Sequence, residues 1–422
     1  MTALPGLSNG QFDHHDPEFI ANPWPTYQHL RQSCPVSHSQ RYGGFWLVTR
    51  YDDVVAAAAD WQTFTSSVPG TLLIPAGMQR SFPFLPLEYD PPEHTLYRQL
   101  VAPVFSPRRV NGLATSIRAL ADALLAPLLA AGGGDLVTDL AAPLTSGTLA
   151  MFIGLPDEDK ELWIELVRRS FEGSVRDPED AARAGAEFRD YIDRLIADRQ
   201  KERSDDLISL LLDAEVDGRR LTEDQIRGFT MLILVAGHET TAAALSYALW
   251  HLAGHPADLA RLRDDRPLIP SAVEEFLRLS SPVSIFARNV SSDTDFRGQR
   301  ISGGDVVGLS FSSANRDEER FSDPESCQLD RRPNRHLAFG SGVHFCLGAQ
   351  MARREISVAM EAVLDSNAQL TRGADIRRKG RGDALALAHL PISFSYPGRG
   401  RLPGEPDQGR DLRERDVLGT SF

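Results

Sequence analysis

The stretch Phe339-Gly340-Ser341-Gly342-Val343-His344-Phe345-Cys346-Leu347-Gly348 decides how this chain is interpreted. It runs into residues 349–355, which have the composition of a helix, so Cys346 stands just ahead of a predicted helix start. The helix dipole and the free backbone N–H groups at such a position favour a thiolate over a thiol. Because a thiolate is a soft metal ligand, the stretch predicts a metal centre at Cys346.

The number of cysteines narrows the choice of metal. The chain has 3 cysteines, Cys34, Cys327 and Cys346, and no CxxC pair. A zinc site or an iron-sulfur cluster usually takes about four protein ligands, so both fit poorly. Haem needs only one protein thiolate, because the porphyrin supplies the other ligands. The glycines of the stretch would let a flat macrocycle approach the backbone, and His344 could reach a haem propionate.

Two simpler interpretations of these residues remain open. A lone cysteine in an apolar setting is commonly a small buried hydrophobic residue. The glycines also match part of a GxGxxG dinucleotide-binding loop, although Phe345 stands where the third glycine would be.

The stretch resembles the haem-binding loop of the cytochrome P-450 family, the haem-thiolate monooxygenases, and matches the pattern Phe-Gly-x-Gly-x-His-x-Cys-x-Gly at every fixed position. The resemblance implies a mainly α fold with small β-sheets (α+β), in which haem b lies between a long central helix and the cysteine loop. It implies that Cys346 ligates the iron. The cofactor-binding residues that it implies in the loop are Phe339, Gly340, His344, Cys346 and Gly348.

A long helix is predicted from Thr222, which forms a capping box with Gln225, to about Leu252. Its residues are apolar all round, which indicates a buried central helix. A transmembrane span is the rival interpretation, but the charged Glu239 at the centre argues against it.

The centre of this helix carries the run Ala-Gly-His-Glu-Thr-Thr over residues 236–241. Ala236 and Gly237 are small and leave space, and the Thr240 hydroxyl can bond to its own helix backbone. The resemblance implies that Ala236 and Gly237 contact the haem. It also implies that Glu239 and Thr240 are catalytic and manage proton delivery during the activation of dioxygen.

Further basic residues are assigned to the haem. Asp90 suits an N-cap and Pro91 the first helical position, so His94 and Arg98 share one face of a predicted helix. From the residues alone, that face would be solvated surface. The resemblance implies that His94, Arg98 and Arg288 bind the haem propionates.

Glu275 and Arg278 lie three residues apart on a predicted helix and can form an ion pair. Such a pair is a weak signal by itself, because any exposed helix offers one by chance. The resemblance implies a structural network in which Arg331, ahead of the cysteine loop, is the third member.

The substrate pocket is predicted less sharply. Residues 68–87 form an apolar loop, which either folds onto the core or covers an apolar pocket. The resemblance implies that Leu232, Val283, Ile285 and Phe286 line the pocket.

Composition sets the wider limits. The formal net charge of -13 argues against nucleic acid and anionic membranes as partners. No signal peptide is predicted, and three cysteines without a pairing pattern fit a reducing compartment, so a cytoplasmic protein is expected. We expect one haem-thiolate domain over residues 1–397 and a disordered tail over 398–422.

These observations predict a monooxygenase that hydroxylates a small hydrophobic substrate, terpenoid or aromatic-like. Its partners would be dioxygen and a ferredoxin with an NAD(P)H-dependent ferredoxin reductase, because no complete nucleotide-binding loop or flavin module is visible. A basic face behind Cys346 is the expected docking site, with the residues Arg108, Arg109, Arg335, Arg353 and Arg354. The rival functions are a peroxide-driven peroxygenase and a non-catalytic haem sensor or ligand-binding protein.

Overall fold

The structure is a computed structural model that describes residues 4–8, 11–75, 82–379 and 381–396. The predicted disordered tail over 398–422 lies outside the described residues, and so do residues 76–81 of the apolar loop. The domain boundary expected at residue 397 therefore stays a prediction.

Helices make up most of the described chain, and the predicted mainly α fold with small sheets is confirmed. The α-helices are α1 (Pro17–Ala21), α2 (Trp24–Ser33), α3 (Tyr51–Ala59), α4 (Glu93–Val101), α5 (Pro107–Gly112), α6 (Ala114–Ala131), α7 (Ala142–Ile153), α8 (Lys160–Arg176), α9 (Pro178–Lys201), α10 (Leu207–Asp213), α11 (Glu223–Gly254), α12 (Pro256–Asp264), α13 (Ile269–Ser280), α14 (Phe311–Ala314) and α15 (Ala349–Asp365).

The strands are short and form several small sheets. They are β1 (Leu7–Ser8), β2 (Gln11–Phe12), β3 (Val36–Ser39), β4 (Phe45–Val48), β5 (Phe64–Thr65), β6 (Gly133–Asp135), β7 (Glu215–Val216), β8 (Arg219–Arg220), β9 (Ile285–Val290), β10 (Thr294–Phe296), β11 (Gln299–Ile301), β12 (Val306–Ser310), β13 (Gln369–Arg372), β14 (Arg377–Arg378), β15 (Leu387–His389) and β16 (Pro391–Ser395). A five-stranded sheet has the order β3-β4-β12-β9-β5. In it, β4 and β12 are parallel, with Val307 opposite Trp46, and the other pairs are antiparallel.

Helix α11 is the central helix. The Thr222 hydroxyl accepts from the Gln225 N–H and the Gln225 side chain accepts from the Thr222 N–H, so the predicted capping box forms. Helices α7, α9, α13 and α15 all pack on α11. Because α11 is apolar on every side, this packing removes most of its surface from water, which is the main source of its stability.

Two helices, α6 and α11, are long and apolar enough to cross a membrane by length and composition. Of the 18-residue apolar segment of α11, 72% is buried inside the protein, as expected for a core helix, whereas 22% of the corresponding segment of α6 is buried. The burial of α11 agrees with the prediction that it is a buried core helix and not a transmembrane span.

The start of α4 differs from the prediction. The helix begins at Glu93, with Pro92 at the cap position and no side-chain cap. Asp90 does not cap it, because the Asp90 carboxylate accepts hydrogen bonds from Thr65, Ser66 and Ser67 instead. The competing loop contacts explain the error, since sequence near Asp90 does not show them.

Candidate active site

The cysteine loop is closed by backbone hydrogen bonds. The Cys346 N–H donates to the Phe339 carbonyl at 2.8 Å, and the Phe345 N–H donates to the Gly342 carbonyl at 3.1 Å. Helix α15 begins three residues after Cys346, with Gly348 at its N-cap. The loop therefore presents the Cys346 sulfur at the N-terminal end of a long helix, as predicted.

The three loop glycines serve different purposes, and close approach of a macrocycle explains at most one of them. Gly340 and Gly342 have φ of 72° and 70°, a conformation that favours glycine. A Cβ on Gly342 would lie 2.5 Å from the Ala58 carbonyl oxygen, so this glycine lets the loop pack on α3. A Cβ on Gly348 would meet only Phe105, at 4.0 Å, so this position borders open space.

The expectation that Cys346 is a thiolate by itself is not supported. Cys346 keeps some solvent-exposed surface, yet the protein atoms around its thiol raise the pKa of that thiol above the ordinary value. The Gly348 N–H and the charge of Arg98 lower this pKa, but they do not outweigh burial. A metal cation at the sulfur would supply the missing stabilisation, since a coordinating thiol is deprotonated.

Basic side chains from three elements converge beside Cys346. The His94 and His344 rings meet edge to face with their centroids 4.5 Å apart. Arg98 is close enough for its charge to act on Cys346, and Arg288 on His344. One carboxylate lies near, with Asp90 Oδ1 3.6 Å from His344 Nε2, beyond hydrogen-bond distance.

The described residues satisfy these basic groups poorly. Both ring nitrogens of His94 and of His344 are buried without a hydrogen bond to the described residues. Arg288 is 4% exposed, donates to the Ala287 carbonyl at 2.8 Å and has no carboxylate partner within the described ranges. Buried polar groups are normally satisfied, so this cluster indicates a ligand that accepts hydrogen bonds.

Burial also controls the charges of the cluster. It lowers the pKa of His94 to about 4 and the pKa of Arg288 to about 10. Burial alone would raise the pKa of Asp90, but the nearby His344 ring and hydrogen bonds from Thr65 and Ser66 lower it to about 2. Two arginines, Arg98 and Arg288, and one carboxylate, Asp90, lie near His344. The neutral histidines each keep an N–H to donate. This set fits the two propionates of a haem whose iron would meet Cys346.

The centre of α11 presents one uncovered face. The Thr240 hydroxyl donates to the Ala236 carbonyl at 2.8 Å, as predicted. Leu232, Ala236 and Thr240 are four residues apart and share this face, and Ala236 is exposed although most of α11 is buried. Gly237 does not open space, because a Cβ there would lie 3.1 Å from the Leu149 side chain on α7.

Glu239 has a partner that the sequence did not reveal. Its Oε1 lies 2.5 Å from Lys379 Nζ, on the segment that follows β14. Burial would raise the pKa of Glu239, but the Lys379 ammonium prevails and holds that pKa below its ordinary value. The neighbouring His238 points elsewhere, with its ring edge-on to Trp163 of α8 at 5.4 Å.

Glu275, Arg278 and Arg331 meet in a buried network. Glu275 accepts from Arg278 Nε and Nη2 at 2.8 Å each and from Arg331 Nε at 3.0 Å. Asn334, which the sequence analysis missed, donates to the same carboxylate at 3.1 Å. Since Arg278 and Glu275 are fully buried, the loss of either partner would strand a charge in the core.

The predicted pocket residues separate into two groups. Phe286 and Arg288 lie on one face of β9, and the Arg288 guanidinium is 5.8 Å from the Phe286 ring centroid. Ile285 lies on the opposite face and packs in a core cluster with Leu47 and Leu385. Val283 is partly buried. Leu232 is buried, one turn of α11 before the exposed Ala236. Ile285 therefore contributes to the core beneath the sheet.

A surface groove of about 810 Å³ lies elsewhere, between α4, α10 and β7. It is lined by residues such as Leu96, Leu100, Arg109 and Leu210. It contains none of the residues predicted for catalysis, cofactor binding or the pocket, so it is a separate feature.

The five arginines of the predicted docking face differ in whether other side chains already bind them. Arg353 is held by Glu274, and Arg109 lies 3.4 Å from Asp205. Arg354 donates to the neutral Asn111 side chain, which joins α15 to α5. Arg108 and Arg335 are exposed and make no ion pair within the described residues.

Comparisons with known proteins agree with this geometry. The family model for Cytochrome P450 matches residues 174–393. Polyketide biosynthesis cytochrome P450 PksS from Bacillus subtilis is 34% identical over 403 residues, which cover 91% of this chain and 98% of that protein. Cytochrome P450 monooxygenase PikC from Streptomyces venezuelae is 36% identical over 363 residues, covering 82% and 84%.

Solved structures give the same result. The structure of PksS has a TM-score of 0.84 at 33% identity and covers 91% of this chain and 100% of that chain. The structure of P450BioI in complex with an acyl carrier protein ligated to hexadec-9Z-enoic acid has a TM-score of 0.81 at 30% identity, covering 90% and 100%.

Proposed function

The chain belongs to the cytochrome P450 family of monooxygenases, and from this premise we propose that it hydroxylates a small hydrophobic substrate in the cytoplasm. The observation that carries the proposal is the convergence beside Cys346 of His94 and His344, whose ring nitrogens lack hydrogen bonds to the described residues, and of Arg288, which has no carboxylate partner among them. A haem cofactor follows from the family. We propose haem b, because the described loop residues offer one sulfur ligand and basic groups suited to propionates.

The roles of the cofactor-binding residues follow from their chemistry. When bound, haem supplies the activation of dioxygen and the transfer of one oxygen atom to the substrate. Cys346 would ligate the iron, and Arg98 and Arg288 would pair with the propionates, relieving the cost of burying unpaired cations. His94 and His344 would each donate an N–H to the same carboxylates.

Proton delivery is assigned to Glu239 and Thr240. The Thr240 proton is held by the Ala236 carbonyl at 2.8 Å, while the hydroxyl oxygen keeps lone pairs with which to accept another hydrogen bond. Glu239 is adjacent and partly exposed, so it can exchange protons with solvent. General acid assistance of this kind contributes about 10² to 10⁴-fold in rate.

The substrate is proposed to be terpenoid or aromatic-like. The support is the apolar character of Leu232, Val283 and Phe286, with Phe286 on the same strand face as Arg288. PksS is named for polyketide biosynthesis, so the support for this choice comes from the side chains.

We propose that a ferredoxin, reduced by an NAD(P)H-dependent ferredoxin reductase, supplies the electrons. Arg108 on α5 and Arg354 on α15 are the best-supported docking residues, because α5 and α15 are joined by Arg354 and Asn111 close to the cysteine loop. An acidic partner would be steered to these charges.

A two-stage experiment tests the proposed function. Purified haem-loaded protein is titrated with terpenoid and aromatic compounds while the haem spin-state change is read by absorption. Binders are then incubated with ferredoxin, reductase and NAD(P)H, and hydroxylated product and peroxide are measured. Thr240→Ala should divert electrons from product to peroxide. Equal product per electron in this variant would remove the role given to Thr240, and a screen without hydrophobic binders would remove the substrate class.

A further inference from the structure

The contact between Glu239 and Lys379 joins two distant parts of the chain. The atoms Glu239 Oε1 and Lys379 Nζ are 2.5 Å apart, and the residues are separated by 140 positions. The two side chains are 26% and 27% exposed, respectively. The pair is thus partly shielded and still in contact with solvent, which suits a group that exchanges protons with water.

The backbone around Lys379 is fixed on both sides. The Lys379 N–H donates to the Ala386 carbonyl at 2.9 Å, next to the pairing of β14 with β15. On the far side, the Ser284 N–H donates to the Asp383 carbonyl at 2.8 Å and the Leu385 N–H donates to the Pro282 carbonyl at 3.1 Å. The backbone from which the Lys379 side chain reaches α11 is therefore held in place by the rest of the fold.

Other charges near Glu239 have their own contacts. Arg381 forms a two-pronged pair with Asp383, at 3.0 and 2.5 Å. His238 faces Trp163. Both add positive potential at Glu239, and Lys379 is the charge in direct contact with it.

An ionised Glu239 that is paired with an ammonium cannot donate a proton. To act as a relay, the carboxylate must first take one proton from solvent and then pass it toward the Thr240 hydroxyl, after which it is again a carboxylate. A partner that keeps the Glu239 carboxylate ionised therefore ensures that it is ready to take up a proton at the start of each round of proton transfer. Lysine suits this task because its compact ammonium sits at the end of a flexible stem and can move away.

We propose that Lys379 is a positioning residue of the proton relay, which holds the Glu239 carboxylate in place and ionised in the resting protein. The inference rests on the proton-delivery role proposed above for Glu239. The competing explanation is structural, with Lys379 only attaching the segment between β14 and β15 to α11.

The ionisation of Glu239 distinguishes these explanations without turnover. The carboxylic acid C=O stretch of Glu239 is isolated in the infrared by subtracting spectra of Glu239→Gln, and it is followed against pH in the ferric haem-loaded protein. Lys379→Met should raise the pKa of Glu239 by about one unit or more, a tenfold change in ionisation. Lys379→Arg should retain the wild-type titration.

Lys201→Met is the matched control, because Lys201 forms an exposed pair with Asp198 at 3.1 Å on α9. It should leave the titration of Glu239 unchanged. If Lys379→Met does not accumulate as folded protein, Lys379→Gln gives the same comparison. A Glu239 titration that is identical in wild-type protein and in these neutral variants overturns the proposal.

Measurement of product and peroxide during turnover then distinguishes the role of Lys379 from the proton-delivery role proposed for Glu239. Loss of product per electron, with a matching rise in peroxide, should accompany the raised pKa in Lys379→Met. If the pKa rises and product per electron does not change, Lys379 positions Glu239 as proposed, and it is the proton-delivery role of Glu239 that fails.

Discussion

Glu274 and Arg353 form a two-pronged ion pair that joins α13 to α15, with Oε1 to Nε at 2.7 Å and Oε2 to Nη2 at 2.9 Å. The Arg353 guanidinium also lies 4.5 Å from the ring centroid of Phe339, at the start of the cysteine loop. Arg353 therefore supports the loop from within the protein, although sequence alone placed it on a docking surface.

This contact changes which charges should matter for electron transfer. Arg108→Glu combined with Arg354→Glu should slow reduction by an acidic ferredoxin about tenfold at low salt and flatten its dependence on ionic strength, because exposed charges steer association. Stopped-flow reduction under carbon monoxide measures the rate. Arg300→Glu, on β11, is the control and should reduce at the wild-type rate. A double variant that matches wild type at every salt concentration would rule out this docking face.

The same pair predicts a pH dependence of stability. Burial would raise the pKa of Glu274, but hydrogen bonds from His336 and Arg353 lower it from 4.5 to about 2. A carboxylate whose pKa is lower in the folded state stabilises above its unfolded pKa and loses that effect as the pH falls. Glu274→Gln should therefore cost about 2 kcal/mol at pH 7, allowing for its partial exposure, and the difference should shrink from pH 4.5 toward pH 2. Urea unfolding across this range tests the sign, and a difference independent of pH would contradict it.

The three cysteines provide an internal test of iron ligation. Cys346→Ser should abolish the red-shifted absorption of the reduced carbon monoxide adduct, because that band requires sulfur ligation. Cys34→Ser and Cys327→Ser should retain it, since both residues lie outside the cysteine loop. Retention of the band in Cys346→Ser would assign the ligand elsewhere.

Arg288 predicts opposite effects on the two forms of the protein. This buried cation has no carboxylate partner among the described residues, so Arg288→Leu should stabilise the haem-free protein by about 1 kcal/mol. The same change should speed haem dissociation about tenfold, because a propionate loses its partner. Haem transfer to apomyoglobin and unfolding of the haem-free form measure the two effects.

Arg316→Leu is the matched control for Arg288. Arg316 is equally buried but pairs with Glu325 at 2.5 Å and donates to the Leu279 carbonyl at 3.1 Å. Its loss should destabilise the protein in both forms. If Arg288→Leu behaves in the same way, the propionate assignment is wrong.

Local patterns carried most of what could be predicted. The capping box at Thr222 predicted the start of α11, and the bond predicted from the Thr240 hydroxyl to its own helix backbone is found at the Ala236 carbonyl, because both depend on residues close in sequence. The network around Glu275 needed Arg331 from a distant segment, and only the resemblance to a family supplied it.

The errors arose where distant segments compete. Asp90 was assigned to a helix cap and instead binds the loop at Thr65, and Ile285 was assigned to the pocket although strand alternation turns it into the core. The charge on Cys346 depends on burial, which has no local signature. No pattern in sequence connects Glu239 with Lys379, since a contact across 140 residues exists only in the folded chain.

The scarcity of lysine has a practical consequence. Lysine occurs only at Lys160, Lys201 and Lys379. Amine-directed dyes, cross-linkers and activated resins will therefore react at few places. One of them, Lys379, is 27% exposed and contacts Glu239, the acid proposed for proton delivery. Labelling or immobilisation through the exposed Cys34 leaves Lys379 unmodified, and it is best done on the haem-loaded protein, because Cys346 is also exposed and haem would protect it.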